Sequence, residues 1–455
     1  MKTTQNCIRL TVKALLAVVL FTSASSVHAQ EGVFKSYAFI GIQGGGQTSF
    51  TDFNNFNDAV IADNNMYYFT KNGLNGAYDI KQVKTAEEVA EEAGASVNNI
   101  FAAAAWIDGN SFEDGSVEAE IADQLSNLAQ HNPEDLKVAL TALAPDTAPA
   151  VQQAATEGAN QIFGAVGTRL SGGSVALAKQ GMSSGDNPFT KVAVWVQGLF
   201  NKAKLDSSRA SKGFDSKTYG TAMGIEGKLN EEVKLGLGYA YSKTDIDGFM
   251  RDTDAKTHTA IVYGEYKPSD WYVNMVASYG WSKYNEKKNV TGVGVKADWD
   301  VESFAVQAMT GYQMNIDGFG ITPETGLRYV HVKQDGYKDS AGQKVSGGTS
   351  DILTGVLGAK VAKSWALENS MVVTPEIKAA MTYDMKNDKG GSVVTLANGS
   401  TYAVSGKAMN RFGVELGAGV TAEVNDNVEL SLGYEGKFRD NYQDHTGLIN
   451  AKYKF

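Results

Sequence analysis

From Thr190 to the C-terminus, apolar and polar residues alternate with a period of two. Twelve segments carry the pattern: 190–202, 218–229, 233–244, 256–267, 271–284, 299–315, 319–333, 350–363, 370–386, 407–422, 427–439 and 444–455. In 427–439, Val428, Leu430, Leu432, Tyr434 and Phe438 alternate with Glu429, Ser431, Glu435, Lys437 and Arg439. In 271–284, Trp271, Val273, Met275, Ala277, Tyr279 and Trp281 alternate with Asn274, Ser278 and Ser282. Successive side chains of a strand point to opposite faces, so each segment predicts one apolar and one polar face. The connections alternate too. Long polar links at 204–217, 245–255, 285–298, 334–349 and 387–406 are interleaved with short turns at 230–232, 268–270, 316–318 and 425–426. This predicts an all-β transmembrane barrel: a 12-stranded antiparallel outer-membrane barrel, apolar outside, polar inside, with turns at one end and loops at the other. A soluble barrel or sandwich requires the reverse facing. The last strand sharpens the contrast. Ile449, Ala451, Tyr453 and Phe455 share one face, and Leu448, Asn450, Lys452 and Lys454 the other.

Upstream, the pattern changes twice. Residues 1–29 read as a signal peptide: Lys2, Arg9 and Lys13 precede an apolar core at 14–21, and Val27-His28-Ala29 forms a small-residue end. Residues 30–148 form a short N-terminal region. Its first part is rich in Gly, Asn, Phe and Tyr, with its best strand at 37–43. The part from Thr85 onward is helical, opened by a capping box at Thr85-Ala-Glu-Glu. Residues 149–171 predict a slim helix, rich in Ala and Gly and free of Pro between Ala150 and Leu170. Twenty-one residues rise about 32 Å, close to one hydrocarbon thickness. With a linker at 172–189 and the barrel at 190–455 directly after it, this helix is expected in the lumen, with Asn160, Phe163 and Arg169 among its notable residues.

Alternation turns a set of charged side chains inward: Glu226, Glu265, Glu324, Arg328, Glu376, Lys378, Arg411, Glu415, Glu435, Lys437 and Arg439. Paired carboxylates can serve acid/base chemistry, but charged lumen residues also pair with one another and hold a helix in place, which is the reading adopted. The formal charge of −10, without a basic run, gives no reason to expect nucleic-acid binding. Cys7 is the only cysteine and lies in the signal segment, so the processed chain has no disulfide and no thiolate metal site. His131, His258, His331 and His445 are scattered without ligand spacing. No Gly-Asp-Ser-Gly nucleophile motif occurs, and Gly41–Gly46 is not followed by a helix. The expectation is a protein that is not an enzyme, with no catalytic residue, cofactor or metal.

Several stretches resemble the autotransporter family of type V secretion. Ala142-Leu-Ala-Pro-Asp-Thr-Ala-Pro149 resembles the segment before that family's pore helix, and Asn160-Gln-Ile-Phe-Gly-Ala-Val-Gly-Thr-Arg-Leu-Ser171 the helix itself. Val194-Trp-Val-Gln-Gly198, Leu235-Gly-Leu-Gly-Tyr239, Pro323-Glu-Thr-Gly-Leu-Arg-Tyr329 and the terminal Tyr-Lys-Phe continue the pattern. The resemblance implies an outer-membrane translocator of a Gram-negative-type bacterium that exports or displays its own short N-terminal passenger. It implies outer-membrane lipid, a barrel assembly machinery and periplasmic chaperones as partners, a monomeric barrel, and Ile449, Tyr453 and Phe455 as an assembly signal. Some members cut themselves inside the barrel at an Asn, for which Asn160 is the best-placed residue here, without a matching local motif. The long β-helical passenger usual in the family is missing from residues 30–148, and the sequence leaves the passenger's ligand open. Two alternatives stand beside export: a helix-plugged outer-membrane pore or structural protein, and a minimal surface adhesin.

Overall fold

A computed structural model describes residues 38–43, 47–51, 59–62, 65–71, 78–108, 112–145, 149–167, 170, 192–207, 212–367, 371–388, 390–406 and 409–455. The signal segment 1–29, Gly44–Gly46, the linker 172–189 and Arg169 lie outside these residues.

Twelve long strands close into a ring. In chain order they are β6 (Val192–Leu205), β7 (Phe214–Lys228), β8 (Val233–Gly248), β9 (Arg251–Tyr266), β10 (Trp271–Val290), β11 (Val293–Tyr312), β13 (Phe319–Gln334), β16 (Gly348–Ala362), β18 (Val372–Asn387), β21 (Phe412–Glu423), β22 (Val428–Arg439) and β23 (Tyr442–Lys454). Each pairs antiparallel with its predecessor, and β23 closes against β6 from Lys454↔Ala193 to Tyr442↔Leu205. The Phe455 amide adds a bond to the Val192 carbonyl at 2.9 Å. Closure removes the free edges that would otherwise leave backbone groups unpaired in lipid.

The facing is as the alternation predicts. Leu432 is 59% exposed and Ile449 64%, whereas the inward Trp195 and Gln197 are buried. Ile377, Met381, Tyr383, Tyr453 and Phe455 also stand on the outer wall. Aromatic rings collect near both rims, with Tyr266 against Trp271 and Tyr453 against Phe455 at the turn end, and Phe200 against Tyr219 toward the other. Among the described residues no helix is long and apolar enough to cross a membrane; the crossing is made by strands.

The long links differ from expectation. Residues 245–255 and 285–298 are not loops but continued strands. They close at Phe249-Met250, with Met250 at φ +55°, and at Thr291-Gly292, where Thr291 at +51° and Gly292 at +97° make a two-residue hairpin turn with both central residues left-handed. The links at 334–349 and 387–406 carry β14 (Tyr337–Lys338), β15 (Lys344–Val345), β19 (Gly391–Thr395) and β20 (Thr401–Ser405), which form a separate sheet in the order β14-β15-β19-β20.

Four short helices sit on this end: α1 (Ala86–Glu92), α2 (Val97–Trp106), α3 (Val117–His131) and α4 (Pro133–Leu143). Thr85 and Glu88 complete the expected capping box, Ser96 and Ser116 cap α2 and α3, and Asn132 caps α4 with Pro133 as its first residue. Trp106, Ile121, Leu125, Leu136, Leu140 and Leu143 are fully buried, and their core is shared with barrel residues Val290, Val295, Val345, Val394, Leu396, Tyr402 and Val404. Five strands of residues 38–84, in the order β1-β2-β5-β4-β3, precede α1. They are β1 (Ala38–Gln43), β2 (Gln47–Thr51), β3 (Ala59–Ala62), β4 (Asn65–Lys71) and β5 (Tyr78–Lys84); at the turn end of the barrel the short β12 (Met314–Ile316) pairs with β13 and β17 (Trp365–Ala366) with β18.

Candidate functional site

The helix α5 (Pro149–Gly167) occupies the lumen. It runs from the long-loop end, where Gln153 and Glu157 lie near Tyr442, to the turn end, where Gly167 and Leu170 lie beside Glu324 and Lys360. Nineteen residues span about 28 Å. Ile162, Phe163, Val166 and Leu170 are buried in one cluster with the inward Trp195, Ala222, Ala240, Tyr263 and Val276.

Charge anchors the helix. The buried Glu157 accepts from Gln153 at 2.8 Å and from Asn160 at 3.4 Å, and its other oxygen faces Lys437 Nζ at 2.8 Å. Burying a carboxylate is tolerable only with such partners, and removing one partner of a buried pair costs about 3–5 kcal/mol. Gly164 lies so close to Glu435 that a Cβ there would meet Oε2 at 2.8 Å. Any side chain at this position therefore has to move the Glu435 carboxylate, while the backbone conformation itself makes no demand for glycine.

The inward charges form a network around this anchor. Arg328 forks onto both oxygens of Glu415 and donates Nε to Gln307 at 2.7 Å. Lys378 stands 3.7 Å from Glu415 and 3.9 Å from Glu435. Glu324 pairs with Lys360 at 3.0 Å and accepts from Tyr272, Glu265 pairs with Lys234 at 3.7 Å, and Glu376 lines a cavity with Glu324, Lys360 and Lys378. Glu226 pairs with Lys452 at 2.6 Å and accepts from Tyr263 at 2.9 Å, while Tyr263 accepts from Trp195 at 2.7 Å. Arg439 binds both oxygens of Asp384.

Arg411 departs from the expectation. It precedes β21, is exposed, and donates to the Met385 carbonyl at 3.4 Å, so it stands outside the lumen network. Alternation was extended to a residue where no strand yet exists. In the other direction, sequence reasoning omitted Glu157, Lys234, Lys360, Asp384 and Lys452 from the set. Asp384 shares the polar phase of its strand with Glu376 and Lys378, and Lys234, Lys360 and Lys452 stand on the inward phase of theirs, Lys234 opposite Glu265 and Lys360 opposite Lys378, so the same rule finds all four. Glu157 carries only a weak signal, a single acid midway along an Ala- and Gly-rich helix.

The lumen is filled. Three cavities beside the helix measure about 40, 70 and 20 Å³, room for a few waters. Among the described residues no group of His, Cys, Asp or Glu is arranged to hold a metal ion. The geometry suits a plug held by ion pairs.

The mouth is also built from distant parts. Arg251 Nη2 donates to the carbonyls of Thr141, Ala142 and Ala144 at 3.4, 3.2 and 2.8 Å, while Nη1 pairs with Glu286 at 3.2 Å. Lys288 and Gln343 donate to the Leu143 carbonyl at 3.0 and 3.2 Å. These donors satisfy the carbonyls that the C-terminus of α4 leaves open and complement its negative dipole end.

Residues 194–435, more than half of the chain, match the autotransporter beta-domain family. Outer membrane protein A of Rickettsia rickettsii is 27% identical over 297 residues, covering 60% of this chain and 13% of that protein. The extracellular serine protease of Serratia marcescens is 22% identical over 271 residues, covering 57% of this chain and 26% of that protein. This chain thus spans only a minor part of the length of these relatives. The translocator domain of the autotransporter NalP from Neisseria meningitidis has the same fold, with a TM-score of 0.52 at 18% identity, over 67% of this chain and 98% of that domain. This outer-membrane β-barrel belongs to the autotransporter family, and its barrel is the family's translocator domain.

Proposed function

We propose that the chain exports its own residues 30–148 and keeps them displayed at the cell surface. The observation that supports this most is the path of α5, which threads the ring and joins helices packed on the long-loop end. Strand order agrees with it, because both barrel ends, Val192 and Phe455, lie at the turn end, where the short connections are expected to face the periplasm. In this reading residues 1–29 direct export and are removed. The barrel assembly machinery and periplasmic chaperones deliver a monomer, with Ile449, Tyr453 and Phe455 as the surface they read. We assign the displayed part no enzymatic role.

The test is an epitope placed in the α3–α4 turn near Asn132. Display predicts that external protease removes it from intact cells. Protection until the outer membrane is opened overturns the proposal. A second reading, a plugged pore, is supported by the nearly filled lumen. Deleting 30–171 leaves all twelve strands, and in planar bilayers that barrel should conduct more than the full chain. Equal conductance would mean that α5 does not obstruct the lumen.

A further inference from the structure

The outward face of the barrel carries a charge pattern that neither the plug nor the cap uses. Near the long-loop end, Tyr241, His258 and Trp281 form a contiguous aromatic set on β8, β9 and β10, with centroid separations of 5.1 and 5.8 Å. Exposed rings of this kind mark the level of lipid headgroups. One register step further toward the loops, the same face turns cationic. Lys243 stands directly opposite Lys256, and Lys256 directly opposite Lys283. On the neighbouring strands, Lys202 stands directly opposite Lys217.

Like charges directly opposite one another destabilise a sheet. With strands about 4.8 Å apart, the backbone positions of Lys243, Lys256 and Lys283 fall in one row roughly 10 Å across. Lys243 shares Asp245 and Asp254 at 2.7 and 3.4 Å. Lys256 and Lys283 have no ion-pair partner among the described residues, although Asp300 is the next cross-strand neighbour of Lys283. Lysines near this level on other strands are matched: Lys333 with Glu302 and Asp335 at 3.4 and 3.3 Å, and Lys386 with Asp351 and Asp388 at 2.6 and 3.3 Å. In this sector Lys256 and Lys283 therefore keep positive charge without an ion pair among the described residues, beside the paired Lys243, at the depth where lipid phosphates lie.

We propose that Lys243, Lys256 and Lys283, above Tyr241 and Trp281, form a docking site for the phosphate of an anionic membrane-lipid headgroup. The ammonium groups supply charge and donors for the phosphate. The rings below pack against the root of the lipid, a contact that free phosphate has no use for. The lipid supplies counter-charge to Lys256 and Lys283, which form no ion pair among the described residues, and Lys243 adds a third donor.

The test uses the full chain in nanodiscs of phosphatidylcholine with a minor share of phosphatidylglycerol, with the retained lipids counted by native mass spectrometry. The wild type should retain phosphatidylglycerol preferentially. K243Q/K256Q/K283Q should lose that preference, by roughly fivefold per lysine, while the barrel stays heat-modifiable. K333Q, at a matched lysine, should change nothing. Undiminished preference in the triple variant, or an equal loss in K333Q, overturns the site. Displacement of the lipid by inorganic phosphate would overturn the lipid as its occupant.

Discussion

The barrel wall and the helical cap find their partners in opposite ways. Every wall strand pairs with the next one in the chain, apart from the closing pair β23–β6. Its apolar face needs only lipid, and its polar face meets neighbours on the same short period. The cap is different. Its leucines bury against strands and hairpins far along the chain, and the C-terminus of α4 ends on Arg251, Lys288 and Gln343. The wall can therefore form without the cap, whereas the cap as seen requires the wall. The structure of the cap is thus templated by the mouth of the barrel.

The sharpest way to break that dependence is Arg251→Ala. It strips three carbonyls of their donor and leaves the buried Glu286 without its guanidinium, a loss of about 3–5 kcal/mol for a buried pair. Hydrogen exchange in α4 should accelerate while the barrel keeps its heat-modifiable mobility. If both regions loosen together, the asymmetry is wrong.

The wall is probed by a pair of neighbours. Leu432→Arg places a charge in hydrocarbon and should cost about 2–4 kcal/mol near the midplane, whereas Ser431→Arg faces the lumen and should cost much less. Equal midpoints in a refolding titration would overturn the facing.

Between the two regions lies α5. Gly164→Val drives a branched side chain into Glu435, an overpacking cost of about 1–3 kcal/mol. The helix should be displaced and single-channel conductance should rise. Unchanged conductance together with unchanged thermal stability would show that the close approach is readily relieved.

The smallest effect concerns Asp108 in the cap. It accepts from the Ala86 and Glu87 amides at 2.8 and 3.3 Å, yet burial pushes its carboxyl up to about 6. The unfolded value is 3.8, so the folded cap holds this proton more tightly. Its contribution to stability is present below pH 4 and is lost as pH rises through 6. Protection of α1 should fall over that window, and Asp108→Asn should flatten the change.

How far the sequence reaches follows the same division. The facing of the wall, the two kinds of connection and the lumen helix were legible because period two and helical composition are local properties. The extended hairpins were not. Beyond the lipid, outward positions such as Asp245, Asp247, Asp298 and Asp300 turn polar, which resembles a loop. Inward positions such as Ile246, Val290, Val295 and Trp299 stay apolar because they are buried within the mouth and beneath the cap. Both faces have to be judged there, and the second has meaning only once the cap is in place.

By itself, the sequence determined that this chain builds a twelve-stranded membrane barrel with a slim helix leading into it, because each strand states its own two environments residue by residue. Only the tertiary structure decided which charge meets which: Glu157 with Lys437, Arg328 with Glu415, and Arg251 with the end of α4. It alone removed Arg411 from the lumen and set the cap on the hairpins. These partners lie from about ninety to nearly three hundred residues apart. Separation of that order leaves no trace in local periodicity, and closure of the ring is what brings them within reach.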